Sequence, residues 1–288
     1  MSQYAEVLKR PPLRARTVFD FVKLEHTLFS LPILLAGAML AARGFPAAKT
    51  LIAILIAGTG ARTTALALNR ILDRNIDARN PRTASRELPS GRMSLAQAWA
   101  VAGAGLVLYL AALSVLPPLC WRLAPIPLAV FVLYPLMKRF TALAHLGVGL
   151  GLALGPIAAW VAVTGSFEGA APVYELAIFT WLWVAGFDVL YATLDEEFDR
   201  REGLHSIPGR FGRSAALKIA ALMHVGAFAS LAILTASHLA TLPAVLLLAI
   251  VGVLLIAEHR LSHRVEVAFF HVNASLGFVV LALVWAGI

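Results

Sequence analysis

LIAILIAGTGARTTALALNRILDRNID, residues 51–77, starts as hydrocarbon and ends as charge. Through Leu68 the run is apolar enough for the core of a membrane, with Arg62 its one ionisable residue. Its apolar positions are continuous and do not alternate, which predicts a helix and not a barrel strand. Beyond Leu68 it places Asn69, Asp73 and Asp77, each four residues after the last. Residues four apart share a helix face, so an amide and two carboxylates form one stripe at the end of a span. The polar stretch that follows carries Arg70, Arg74, Arg79, Arg82, Arg86 and Arg92.

The rest of the chain extends this reading. Of its 288 residues, 60% are hydrophobic and only 14% charged, against about one quarter charged in soluble domains. The mean hydropathy is +0.81. So little polar surface excludes a soluble globule and predicts an all-α integral membrane protein. A single cysteine, Cys120, excludes an internal disulfide and a multi-cysteine metal site. No cleavable signal is read at the N-terminus.

A spanning helix needs about 20 mostly apolar residues. Nine stretches are predicted to span: 27–43, 47–68, 95–117, 123–137, 143–164, 174–194, 214–236, 240–257 and 267–287. Pro125, Pro127 and Pro135 predict a kink or break in the fourth. Residues 1–26 read as an N-terminal cytoplasmic or interfacial segment, with 17–26 an amphipathic helix. Residues 27–288 read as a single nine-helix transmembrane domain.

Lysine and arginine set the orientation. With a cytoplasmic N-terminus, only Arg43, Lys49 and Arg122 lie on the opposite side, and Arg62 falls within a span. The sequence pI near 10.1 therefore reads as topology, with attraction to anionic membrane lipid. Nucleic acid is not expected, because no soluble module carries a basic patch interleaved with aromatics. The expected location is the cell (inner or plasma) membrane, with the polar connections 70–93 and 195–213 on the cytoplasmic side.

A second acidic cluster ends the sixth span. Tyr191, Asp195 and Asp199 again fall at i, i+4 and i+8, and Asp188 lies deeper in the apolar run. An ionisable residue inside a span is costly and is a functional candidate. The first cluster closes the second span and the other closes the sixth, four spans later. A duplication about an axis along the membrane normal would bring both to one face. Magnesium takes oxygen ligands and commonly joins one or two carboxylates to phosphates, so facing aspartate pairs suit a magnesium-bound diphosphate. Arg62, Arg70 and Lys138 are the basic residues best placed for its oxygens, and Lys23 would bind substrate or lipid head groups. A plainer reading pairs the first aspartates with Arg70 and Arg74 at a polar helix end.

Other features read more simply. His259 and His263 share a helix face but lack the HExxH pattern of a zinc site. His26 sits at the membrane interface, and His205 follows the second cluster. Gly147, Gly149, Gly151 and Gly155 suit close helix packing. Tyr134, Trp160, Trp181, Trp183 and Phe187 either pack and anchor or line an apolar tunnel, where they would shield a carbocation.

These motifs together resemble the UbiA intramembrane prenyltransferases. Asn69-Arg70-x-x-Asp73-x-x-x-Asp77, with Arg82-Thr83, Arg86 and Pro89-x-Gly91, resembles that family's first motif. Tyr134-Pro-Leu-Met-Lys138-Arg139-Phe-Thr141 resembles its tyrosine–lysine loop. Asp188-x-x-Tyr191-x-x-x-Asp195-x-x-x-Asp199 resembles its second motif. The resemblance implies the family's fold of nine transmembrane helices around a central cavity, Mg2+, a polyprenyl diphosphate donor and an aromatic or other lipophilic acceptor. It implies that Asn69, Asp73, Asp77, Asp195 and Asp199 bind the magnesium diphosphate, that Arg70 and Lys138 hold phosphate oxygens, and that Asp188 and Tyr191 face the reacting carbon.

The overall likeness is to 4-hydroxybenzoate polyprenyltransferases of quinone (ubiquinone or menaquinone) biosynthesis. Lys23-Leu-Glu25-His26 and Gly203-Leu-His205-Ser-Ile-Pro208 look more like the branch of the futalosine route to menaquinone, which would prenylate a dihydroxynaphthoate. A transporter of an anionic solute is the reading from another class. Its charges would belong at the membrane centre, whereas these crowd one face.

Overall fold

The computed structural model describes residues 15–23, 27–262 and 271–288. A short helix, α1 (Ala15–Phe21), buries Phe21 and Val22 against Ala67, Ile71, Met93 and Ala98. The predicted interfacial helix is thus docked on the bundle. Residues 24–26, with Glu25 and His26, lie outside the described residues, as does His263.

α2 (Thr27–Ala42) ends where Arg43 takes a positive φ of 48°. α3 (Ala48–Arg79) has 32 residues. At 1.5 Å per residue it is about 48 Å long, well beyond the roughly 30 Å hydrocarbon core. The predicted span 47–68 therefore does not stop at Leu68, and the helix carries its acidic stripe on for another eleven residues to Arg79. It ends at Asn80, extended ahead of Pro81, as a residue before proline prefers.

α4 (Leu95–Leu113) starts from a reciprocal capping box between Ser94 and Gln97. The predicted break in the fourth span is found at Ala124, between α5 (Pro118–Leu123) and α6 (Pro125–Met137). α7 (Ala144–Thr164) ends on Gly165 in the left-handed region. α8 (Ala171–Ala192) runs into a 3-10 turn, Thr193–Asp195, and then α9 (Glu196–Arg201). Tyr191, Asp195 and Asp199 therefore do not share one continuous α-helical stripe, as their spacing had predicted. α10 (Ile207–His238) bends at Gly212, whose φ is 80°. α11 (Leu242–Arg260) and α12 (Asn273–Gly287) complete the described helices.

Seven helical segments are long and apolar enough to cross a membrane: Ala48–Arg79, Leu95–Leu113, Pro118–Met137, Ala144–Thr164, Ala171–Arg201, Ile207–His238 and Leu242–Arg260. Two shorter apolar helices, Ser30–Ala42 and Asn273–Gly287, fall in the first and last of the nine predicted stretches. The protein is an all-α integral membrane protein. α3 packs on α4 and α6, α7 on α2, α6 and α8, α8 on α10, α11 on α10 and α12, and α12 on α2. The helices thus form a closed circuit.

Close backbone approach explains some of the glycines. A Cβ on Gly149 would lie 2.4 Å from the Trp181 carbonyl oxygen, and one on Gly147 would lie 2.8 Å from Tyr134 Cβ. Gly151 and Gly155 have only ordinary contacts. A buried polar network links four helices away from the acidic clusters. Trp183 Nε1 donates to Asn273 Oδ1 (2.8 Å), and Asn273 Nδ2 donates to Glu258 Oε1 (3.1 Å). His224 Nε2 sits 3.2 Å from the Trp183 carbonyl, and His259 Nε2 sits 3.0 Å from His224 Nδ1.

Candidate active site

An apolar cavity of about 540 Å³ lies among α2, α3, α4, α6, α7 and α8. Its walls include Ile33, Ile54, Leu116, Phe131, Val184 and Phe187. Among the described residues, Arg62 and Asp188 are its only charged lining groups, and Tyr134 lines it with them. Of the aromatics predicted at a tunnel, Tyr134 and Phe187 are there. Trp160, Trp181 and Trp183 are packed elsewhere, with the indole N–H of Trp181 on the Leu146 carbonyl and that of Trp183 on Asn273.

Three helices lead from this cavity to the acidic clusters in the same order. On α3, Arg62 precedes Asn69 and Asp73; on α6, Tyr134 precedes Lys138; on α8, Asp188 precedes Tyr191 and Asp195. Contacts at the far end join these helices. Lys138 Nζ lies 2.5 Å from Asp73 Oδ2. The Lys138 carbonyl accepts from the His205 backbone N–H at 2.7 Å. Asn69 Nδ2 approaches the same Asp73 oxygen at 3.5 Å. Asp73 is 3% exposed, and its Oδ1 is buried with no hydrogen-bond partner among the described residues.

The segment after α3 folds back on its acids. Arg86 NH1 contacts both carboxylate oxygens of Asp77 at 2.8 and 2.9 Å. Thr83 Oγ1 donates to the Asp77 carbonyl at 3.0 Å. Asn80 and Arg82 reach the second cluster. Asn80 Nδ2 and Arg82 Nε each donate to Asp195 Oδ1 at 2.8 Å, and Arg82 NH2 pairs with Asp195 Oδ2. Arg82 NH1 donates to the Tyr191 hydroxyl at 2.9 Å, with the guanidinium 5.0 Å from that ring's centre. Burial works against the charge on Arg82. The hydrogen bonds to Asp195 and Tyr191, with the negative charge of Asp195, outweigh it and hold the guanidinium pKa above its usual value. At the rim, Arg79 Nε pairs with Glu202 at 2.7 Å.

The remaining predicted residues divide. Arg62 lines the cavity and donates to the carbonyls of Val22 (3.1 Å) and Lys23 (3.3 Å), tying α1 to α3. Lys23 has a positive φ of 47°. Arg70 is buried against Glu87, 3.5 Å away, and its NH1 has no hydrogen-bond partner among the described residues. Asp199 lies within electrostatic reach of Asp195, Lys138 and His145. His145 is new to the site: its Nδ1 is 2.7 Å from Asp188 Oδ2, and its Nε2 accepts from the Ile207 backbone N–H at 3.3 Å. Arg82 and Arg86 were visible in the first motif, yet read there mostly as topology markers. His145 had one signal only, an ionisable side chain in an apolar run.

Among the described residues, no three His, Cys, Asp or Glu side chains form a ready metal cage. Magnesium rarely uses one; it keeps waters and completes its shell with substrate phosphates. Asn69, Asp73, Asp77, Asp195 and Asp199 offer only oxygen donors of the kind it takes, and the partnerless Asp73 Oδ1 is a donor in waiting. The donor set fits.

Comparison with known proteins adds three findings. The family model described as the UbiA prenyltransferase family matches residues 30–285. The chain is 30% identical over 220 residues to 4-hydroxybenzoate octaprenyltransferase of Vibrio parahaemolyticus, covering 74% of this chain and 75% of that protein. Among solved structures, the apo form of a UbiA homolog from Aeropyrum pernix K1 superposes with a TM-score of 0.82 at 34% identity, covering 89% of this chain and 95% of that one. A UbiA homolog from Archaeoglobus fulgidus bound to GPP and Mg2+ has a TM-score of 0.66 at 17% identity, over 94% and 98% of the two chains.

Proposed function

Because the chain belongs to the UbiA prenyltransferase family, we propose that it moves a polyprenyl chain from a polyprenyl diphosphate to an aromatic acceptor like 4-hydroxybenzoate, with magnesium as cofactor. The observation that carries this reading is the common order along α3, α6 and α8: cavity residue first, acidic or basic cluster residue next. A long apolar substrate with a polyanionic head matches that layout. The names of the relatives support the acceptor class, and the Archaeoglobus homolog supports a prenyl diphosphate with Mg2+. Family membership displaces the transporter reading.

Asn69, Asp73, Asp77, Asp195 and Asp199 would hold magnesium, which when bound supplies positive charge to the departing diphosphate. Lys138, at the cluster, takes phosphate oxygens as its bond to Asp73 is exchanged. Arg82 and Arg86 fasten the segment after α3 over the head group. Arg70, facing Glu87, serves here by holding that segment from beneath. Arg62 lines the cavity, not the cluster, so we assign it to the acceptor's carboxylate.

The apolar walls exclude water that would quench an allylic cation. The allylic C–O bond breaks with its electron pair leaving on diphosphate. A ring carbon ortho to the phenolic hydroxyl forms the new C–C bond and then loses its proton. Asp188 lines the cavity and is the base placed to accept that proton. Tyr191, fixed by Arg82, and Tyr134 flank the reacting carbon. One-sided lysine and arginine support placing the clusters at the cytoplasmic face of the cell membrane, with anionic lipid around them.

The test uses purified protein, magnesium, a labelled polyprenyl diphosphate and a panel of 4-hydroxybenzoate and dihydroxynaphthoate, read by product mass. C-prenylated 4-hydroxybenzoate, lost on EDTA addition, is expected. Prenylated naphthoate alone would overturn the acceptor assignment, and turnover insensitive to EDTA would overturn the metal.

A further inference from the structure

We propose that His145 is a positioning residue for the transfer step, holding the Asp188 carboxylate at the cavity wall. The inference rests on the aromatic prenylation proposed above. His145 sits in the first turn of α7, is 5% exposed, and among the described residues hydrogen-bonds to no other site residue. Its two ring nitrogens have different partners. A backbone N–H can only donate, so the bond from Ile207 requires a lone pair on His145 Nε2. The ring proton then lies on Nδ1 and is donated to Asp188 Oδ2 at 2.7 Å. The neighbouring backbone thus selects the tautomer that the carboxylate needs.

The partner's neutrality matters. Asp73, Asp77 and Asp195 are each paired with Lys138, Arg86 or Arg82. Asp188 is instead bonded to an imidazole that already accepts at its other nitrogen. Such a donor orients a carboxylate and leaves its charge available for a proton. One oxygen of Asp188 is occupied by His145, while the side chain lines the cavity and remains 26% exposed. Ile207 opens α10 directly after the segment that bears Asp195 and Asp199. A single imidazole therefore links that segment's end to the cavity carboxylate.

The experiment compares His145→Asn, His145→Gln and His145→Phe with the wild type. An asparagine amide reaches the place of Nδ1, whereas a glutamine amide reaches that of Nε2. His145→Gln and His145→Phe are expected to lower kcat about ten- to a hundredfold, the range for losing a hydrogen bond to a charged group. KM for the diphosphate should stay unchanged, and His145→Asn should restore most of kcat. In an Asp188→Asn background, His145→Gln should cause no further loss.

Thermal unfolding in detergent accompanies each variant. Equal kcat in the Asn and Gln variants, a loss confined to KM, additive losses with Asp188→Asn, or failure of all three variants to fold would overturn the assignment. A wild type that yields no aromatic product overturns the proposed function and this inference together. An active wild type matched by His145→Gln overturns this inference alone.

Discussion

Asp73 combines burial, charge and an unsatisfied oxygen in one side chain. Lys138 neutralises it from a different helix, so removing that partner strands a buried carboxylate. Lys138→Ala is expected to cost about 3 kcal/mol of stability, read by thermal unfolding in detergent, with Lys138→Arg keeping most of it. Asp73→Ala and Asp195→Ala should each lower prenyl transfer at least a hundredfold, the scale of a lost charge-stabilising group; full turnover in both would remove the two-cluster site. At this scale the sequence was partly legible. Asn69, Asp73 and Asp77 could be found because i, i+4 spacing is a local rule. Their cations could not, because Asp73 with Lys138 and Asp195 with Arg82 are pairs 65 and 113 residues apart. The first exists only once α3 packs on α6, and the second only once the segment after α3 has folded back. His145 was harder still, since its role comes from Asp188 and Ile207, both remote in sequence.

At the scale of elements, α3 and α8 end differently, and the difference was not legible. Both acidic series have four-residue spacing, but α3 continues through its series while α8 gives way to a 3-10 turn at Thr193. No proline or glycine marks that change in the sequence; Asn80 and Arg82 hold Asp195 within the turn. The proline break at Ala124 was legible, because a missing N–H is a local fact. Helix contacts give a clean contrast between two glycines. Gly149→Ala places a methyl against the Trp181 backbone, where overpacking should cost about 1–3 kcal/mol. Gly103→Ala, on α4 with open space around it, should be neutral or stabilise by up to about 1 kcal/mol. Equal melting temperatures for the two variants would show that α7 and α8 separate easily at Gly149.

For the whole molecule, sidedness is the property most open to direct measurement. In a Cys120→Ala background, a cysteine at Ser85 should react with a membrane-impermeant maleimide only in inside-out vesicles. A cysteine at Phe45, which is 70% exposed beyond α2, should react only from the opposite side. Labelling of both from one side would invert or break the proposed topology. The ties between the two polar segments also differ in weight. The exposed Arg79–Glu202 pair should contribute at most about 1 kcal/mol, so Arg79→Ala should unfold close to the wild type. Arg82→Ala, which strips Asp195 and Tyr191 together, should unfold at a clearly lower temperature.

In lipid, burying one helix face or another gains almost nothing from hydrophobicity, because the surroundings are as apolar as the core. The bonds joining Trp183 to Asn273, Asn273 to Glu258, and His224 to the Trp183 carbonyl act as a key in a keyway. They fix the rotation of α8 about its own axis. Asp188 lies five residues further along that axis, so the angle at which it meets the cavity is set by side chains that never approach the substrate.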